Sequence, residues 1–293
     1  MKIKAVGKKA ITAFVLTISL ASLLTACGTS SQAPADDNAG KSGTISGTVT
    51  VSGSTSVQPL AQDLADIFNE TEPGVSIEIQ GGGSSQGIKA ATDGISNIGT
   101  SSRDLTAEEK TGLTEHIIAY DGVAIVVHPS NPVSNLSKDQ VVKIFKGEIK
   151  NWKEVGGKDS EILVVTREDG SGTRSAFEEL LKLQEKKDDK TVSFIRSDAL
   201  VADGTGAVKA NVASKENAIG YTSLGFVDSS LKKVNLDNIE CSIENVKNKT
   251  YAISRPFLML TKGDVSPETK AFLDFILSDK GQEIVGKTYI TIK

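Results

Sequence analysis

Four times in this chain an apolar, β-like run breaks into a turn of glycine and hydroxyl residues and then into a helical stretch. The turns are Gly53-Ser54-Thr55-Ser56, Gly81-Gly82-Gly83-Ser84-Ser85, Gly99-Thr100-Ser101-Ser102-Arg103 and Arg167-Glu168-Asp169-Gly170-Ser171-Gly172-Thr173-Arg174. A strand that stops on glycine and resumes as a helix is half of a βαβ unit, so the repetition implies an α/β fold with mostly parallel sheets. Such turns lie at the carboxyl ends of strands, where open α/β sheets receive ligands. Their backbone N–H groups lack intrahelical partners and sit at the positive end of the helix dipole. The hydroxyls add donors, and Arg167 adds a planar fork matched to a tetrahedral oxyanion. One turn alone is usually a helix cap. Four, two of them carrying arginine, point to a site for a small polar anion.

Between the turns, periodicity predicts strands over 48–52, 75–80, 97–100, 117–128, 162–166, 192–196, 218–222 and 251–261. Helices are expected over 57–69, 87–92 and 175–183. Another starts at the capping pair Thr106 and Glu109, and another at Ser137 with Gln140, stopped by Gly147. Ser266-Pro267 opens a last helix with Phe272, Phe275 and Ile276 on one face.

The N-terminal residues read as an address. Lys2, Lys4, Lys8 and Lys9 precede an apolar run over 10–24 that is too short, and too rich in Ser and Thr, for a membrane span. It ends in Leu24-Thr25-Ala26-Cys27, which resembles the lipobox of bacterial lipoproteins. This implies a lipoprotein signal peptide over 1–27, with Cys27 as the lipid-attachment residue. Residues 28–43, rich in Gly, Ser, Ala and Asp, read as a flexible tether. The protein is thus expected to be exported and lipid-anchored to the outer face of the bacterial cell membrane. Cys241 is the other of two cysteines and reads as a small core residue. Formal net charge is −4; removing four leader lysines and no acid takes the mature chain to about −8, against the basic stripe that nucleic acid requires. An anion site on an acidic protein works by local, preorganised donors rather than long-range attraction.

From about residue 48 to the C-terminus the chain resembles the phosphate-binding proteins that deliver substrate to Pst-type ABC transporters. The resemblance rests on Gly53-Ser54-Thr55-Ser56-Val57-Gln58-Pro59, Gly83-Ser84-Ser85, Gly99-Thr100-Ser101-Ser102-Arg103, and Arg167 through Thr173. It is extended by Asp121-Gly122, Asn131-Pro132-Val133, Ile144-Phe145-Lys146-Gly147, Asn151-Trp152, Ala218-Ile219-Gly220-Tyr221 and Gly281-Gln282. It implies a two-lobed, type II periplasmic-binding-protein (Venus-flytrap) fold with a strand hinge. Crossings are expected near Tyr120-Asp121 and Gly220-Tyr221, giving lobe one over 44–120 and 221–293 and lobe two over 121–220. Carried over residue by residue, the phosphate ligands are Thr55, Ser56, Ser84 and Ser102 on lobe one, with Arg167, Ser171, the Gly172 N–H and Thr173 on lobe two. Asp169 is expected to orient Arg167. Arg103 and Arg174 divide between a supporting role and ordinary ion pairs. The implied partners are inorganic phosphate and the permease and ATPase subunits of an importer, with the binding protein a monomer that needs no cofactor or metal. One position departs from the pattern: Ser102 stands where the best-known members carry an aspartate that accepts the proton of hydrogen phosphate. Asp169 or a backbone carbonyl is left as the alternative acceptor.

Other oxyanions, sulfate or molybdate, remain as alternative ligands, and a surface adhesin or sensor as another role. Gly83-Ser84-Ser85-Gln86-Gly87 also matches the nucleophile turn of serine hydrolases, which needs a histidine brought to the serine. Of the chain's two histidines, His116 is expected in a loop and His128 directly precedes a proline, so an enzyme is the weaker reading. Trp152 reads as core.

Overall fold

The computed structural model describes residues 45–188 and 190–293, so the signal peptide, Cys27 and the tether lie outside the described residues. The chain opens with β1 (Gly47–Gly53), α1 (Gln58–Thr71), β2 (Val75–Gly81), α2 (Ser84–Asp93) and β3 (Ile98–Ser101). β1 runs parallel to β2 on one side and β3 on the other. Leu60, Leu64 and Phe68 recur at helical spacing on α1, and all are buried. Burying side chains of this size stabilises by roughly 1.5–3 kcal/mol each.

A single long strand, β4 (Leu113–Val127), carries the chain out of this half. Next come β5 (Asn135–Leu136), α3 (Lys138–Lys146), β6 (Leu163–Arg167) and α4 (Gly172–Leu180). The hairpin of β7 (Gln184–Lys187) and β8 (Lys190–Ser193) pairs with itself. β9 (Leu200–Ala202), α5 (Thr205–Ser214), β10 (Ala218–Ser223), β11 (Lys232–Leu236) and α6 (Ile243–Lys247) follow. β12 (Ser254–Lys262) returns beside β4, and α7 (Pro267–Leu277) and α8 (Asp279–Val285) finish the chain. Phe68 of α1 meets Phe272 and Phe275 of α7 with ring centroids 5.2 and 5.5 Å apart, tying the C-terminal helices to the first half.

The strand order is β2-β1-β3-β12-β4-β10-β6-β9, with β11 beside β4 and β5. The flanks, β2-β1-β3 and β10-β6-β9, are parallel, and antiparallel pairing in this sheet is confined to β4 and β12. β4 changes partners midway: Gly122 faces Ser254 of β12, whereas Val123 faces Ser223 of β10. Core membership changes with it. Ile118 and Ala119 pack with Val49, Leu64 and Phe272, while Val123 through Val127 pack with Val164, Phe177 and Tyr221.

The return crossing does not fall at Gly220-Tyr221. Tyr221, Val234, Cys241, Tyr251 and Ile253 belong to the same core as Val164, and the other core resumes at Phe257. Tyr221 is held there by stacking on Phe177, with ring centroids 4.0 Å apart. Thr106 and Glu109 exchange the two bonds expected of a capping box, at 3.0 and 3.3 Å, but only turns follow before β4. The helix expected over 175–183 begins three residues earlier, at Gly172. Trp152 is buried, its Nε1 donating to the Asn217 carbonyl.

Candidate anion-binding site

The hydroxyls at the head of α1 are not helix caps. The N-cap of α1 is Val57, that of α2 is Gly83 and that of α5 is Gly204, none with a side-chain cap bond. Thr55, Ser56, Ser84 and Thr205 therefore remain available at three helix N-termini, where dipole and free N–H groups favour an anion. Ser171 is the exception: it caps α4, its Oγ accepting from the Arg174 N–H at 3.2 Å. Its own hydroxyl proton can still be donated.

Backbone geometry brings these turns together. Gly53 has φ +135°, and a Cβ there would lie 2.3 Å from the Thr100 carbonyl oxygen, so only glycine lets β1 and β3 deliver their turns side by side. A Cβ on Gly172 would lie 2.2 Å from Ser84 Oγ and 2.8 Å from Ser102 Oγ. The N-terminus of α4 is thus pressed against hydroxyls from the other core. Ser85 N–H donates to the Gly170 carbonyl at 3.1 Å across the same gap.

Two hydroxyl groupings result. In one, Ser56 Oγ is hydrogen-bonded to Thr173 Oγ1 (2.8 Å) and Thr205 Oγ1 (3.0 Å), and Thr55 Oγ1 to Thr205 Oγ1 (2.9 Å). In the other, Ser54 Oγ donates to Ser102 Oγ (2.9 Å), and the Ser102 N–H donates to Ser84 Oγ (3.0 Å). Arg167, at the end of β6 with its side chain 2 % exposed, reaches into the first. Its Nη1 donates to Thr205 Oγ1 at 3.0 Å and its Nη2 to Thr55 Oγ1 at 3.1 Å. Of the positions expected from the sequence, Thr55, Ser56, Ser84, Ser102, Arg167 and Thr173 take part in these hydrogen bonds and Gly172 lies against Ser84 and Ser102, whereas the Ser171 side chain bonds only within its own helix turn.

The carboxylate that orients Arg167 is Glu168 and not Asp169. Arg167 Nε and Nη2 donate to Glu168 Oε2 and Oε1 at 2.7 and 2.6 Å, and the Gly204 N–H donates to Oε2 at 3.2 Å. Partial burial works to raise the Glu168 pKa, but Arg167 and the Gly204 N–H outweigh it and hold the carboxyl below its usual range. Asp169 is 98 % exposed and accepts from Arg174 Nη1 at 2.7 Å, so it is badly placed as an acceptor for a ligand proton. Arg174 also donates to Glu178 Oε1 and to the Arg167 carbonyl. Arg103 is claimed by both oxygens of Glu109, with one long contact of 3.4 Å to Ser85 Oγ. Of the residues that sequence reasoning missed, Thr205 had a signal. Asp203-Gly204-Thr205 follows β9 and opens α5 as the other turns open theirs, but β9 is three residues long and leaves no periodicity to read.

Known proteins resemble this chain over most of its length. Residues 38–280 match the model of the PBP superfamily domain. The phosphate-binding protein PstS of Bacillus subtilis is 32% identical over 286 residues, covering 95% of this chain and 92% of that protein. A solved structure from Clostridium perfringens, described as a phosphate ABC transporter substrate-binding protein with bound phosphate, is 47% identical with a TM-score of 0.80. The match covers 84% of this chain and all of that one. An ABC-type phosphate transport receptor from Vibrio cholerae is 39% identical with a TM-score of 0.69, over 83% of this chain and 99% of that one. By the span of the superfamily match and the identity to these relatives, this chain belongs to the PstS phosphate-binding proteins of the PBP superfamily.

Proposed function

We propose that this chain is the substrate-binding component of an ABC importer and takes inorganic phosphate between its two cores. The observation that carries the reading is Arg167: a buried guanidinium whose donors reach hydroxyls contributed by both cores, Thr55 from one and Thr205 from the other. Phosphate would be held by Thr55, Ser56, Ser84 and Ser102 from one lobe and by Arg167, Ser171, the Gly172 N–H and Thr173 from the other, with Thr205 added. The lobes would be 44–120 with 254–293, and 121–253. A ligand touching both lobes favours the closed state by the contacts made only there.

The Gly83-Gly87 turn is a wall of the site rather than a nucleophile. Ser84 bonds Ser102, while His116, which lies within β4 and not in the expected loop, bonds Thr261, and His128 bonds Ser130. Among the described residues no helix is long and apolar enough to cross a membrane. Anchoring is assigned to lipid on Cys27, with a single copy of the chain meeting the permease. The binding test is calorimetric titration with phosphate, sulfate, arsenate and molybdate, because the sole tryptophan is a buried core residue and a poor reporter. Phosphate is expected to bind most tightly. With Ser102 able to donate or accept, its margin over sulfate is expected to be about tenfold rather than absolute. Equal affinity for sulfate would overturn the assignment.

A further inference from the structure

Asp121 and Arg255 form a fully buried ion pair at the strand crossing, with side chains 0% and 1% exposed. They face each other in the β4–β12 register. Buried pairs of this kind are costly to desolvate and add little stability of their own, so their other contacts are informative. Arg255 Nε and Nη2 donate to Asp121 Oδ2 at 3.1 and 2.9 Å. The remaining fork atom, Nη1, donates to the backbone carbonyl of Ser102 at 3.1 Å. Asp121 Oδ1 accepts from Ser223 Oγ at 2.9 Å and from the Leu224 N–H at 3.1 Å. Ser102 is thereby gripped at both backbone groups, its carbonyl by Arg255 and its N–H by Ser84 Oγ, while its hydroxyl accepts from Ser54 and lies 3.4 Å from Ser84 Oγ.

We infer that Arg255, held by Asp121, is a positioning residue for the anion site: it fixes the Ser102 turn and links it to the strands on which the two cores pivot. Arg255 touches no ligand and acts through Ser102. A charged donor on a buried carbonyl is stronger than a neutral one, and only a guanidinium spans the carboxylate and the carbonyl at once. The inference rests on the reading of the site as a phosphate site.

The test is a thermodynamic cycle in phosphate affinity over Arg255→Lys, Ser102→Ala and the double variant, with thermal unfolding recorded in parallel. Arg255→Lys is expected to unfold cooperatively yet bind phosphate about fivefold or more weakly. The double variant is expected to bind no more weakly than the worse single one. Wild-type affinity in Arg255→Lys, or losses that multiply, overturns the proposal. Should that variant not fold, Asp121→Asn carries the same cycle with the same outcomes. In the unaltered protein the Arg255 Nε–H resonance is expected to shift as phosphate saturates; a resonance unmoved at saturation overturns the proposal. If the unaltered protein takes up no phosphate, the site reading falls and this inference with it. Binding by the unaltered protein with an indifferent Arg255→Lys counts against Arg255 alone.

Discussion

At the scale of single residues the site is an exercise in which donors are left free. Arg167 has five N–H groups, and Glu168, Thr55 and Thr205 account for the atoms that carry them, so its plane is fixed before a ligand arrives. Charge-assisted bonds are worth about 1.5–3 kcal/mol each, and a lysine cannot reproduce a fork held on three sides. Arg167→Lys is expected to weaken phosphate binding at least tenfold by calorimetry. Thr205→Val keeps shape and removes the hydroxyl that joins Arg167, Ser56 and Thr55; a loss of about fivefold to tenfold is expected in the same assay. The hydroxyl and glycine positions were legible because small donors after a strand serve few purposes. The choice between Glu168 and Asp169 was not. Both neighbour the arginine, and the outcome depends on Arg174, which sits in the first turn of α4 and draws Asp169 outward.

Among the elements, legibility followed length and period. α1, α3 and the long strands β4 and β12 repeat their apolar residues often enough to be read. The short β9 does not, and β7 is all polar and leaves no signal; of its partner β8, Lys190–Ser193, only the last two residues fall within the strand expected over 192–196. The Thr106–Glu109 box failed to extend into a helix because Glu109 is shared with Arg103 and Gly112 adopts φ +77°. Placement of α4 supplies a sharper test than its existence. Gly172→Ala suits a helix but drives a methyl group into Ser84 Oγ, and overpacking of this sort costs about 1–3 kcal/mol. Phosphate affinity is expected to fall at least tenfold by calorimetry, and the thermal midpoint measured without phosphate to drop by a few degrees. β4 carries a pH dependence as well. Burial pushes the His116 imidazole below its ordinary 6.5. The unfolded chain therefore takes up the proton first, and stability is expected to decline as pH falls below about 6.5, levelling once the folded-state pKa is passed. Denaturant midpoints between pH 7.5 and 5 check this, and His116→Gln should flatten that part of the curve.

For the molecule as a whole, two cores share one sheet through β4 and β12. The return passage could not be read from the residues near Gly220-Tyr221. Gly220-Tyr221 ends a β-like run on a small residue, and nothing local reveals that Tyr221 will stack on Phe177 and keep the next thirty or so residues in the same core. A hinge of two adjacent hydrogen-bonded strands permits bending while holding register. Small-angle scattering is expected to record a smaller radius of gyration with phosphate than without it; identical curves at saturation would exclude closure as the response to binding.

The partnership of β4 with β12 also governs how the protein can be cut. Residues near the C-terminus usually tolerate trimming, yet here those after Ile253 supply the strand between β3 and β4 and the helices that cover Phe68. A stop codon at that point would strip the amino-terminal core of the strand that joins β3 to β4, and a nascent chain cannot complete its first-made half until residues 254–285 have emerged.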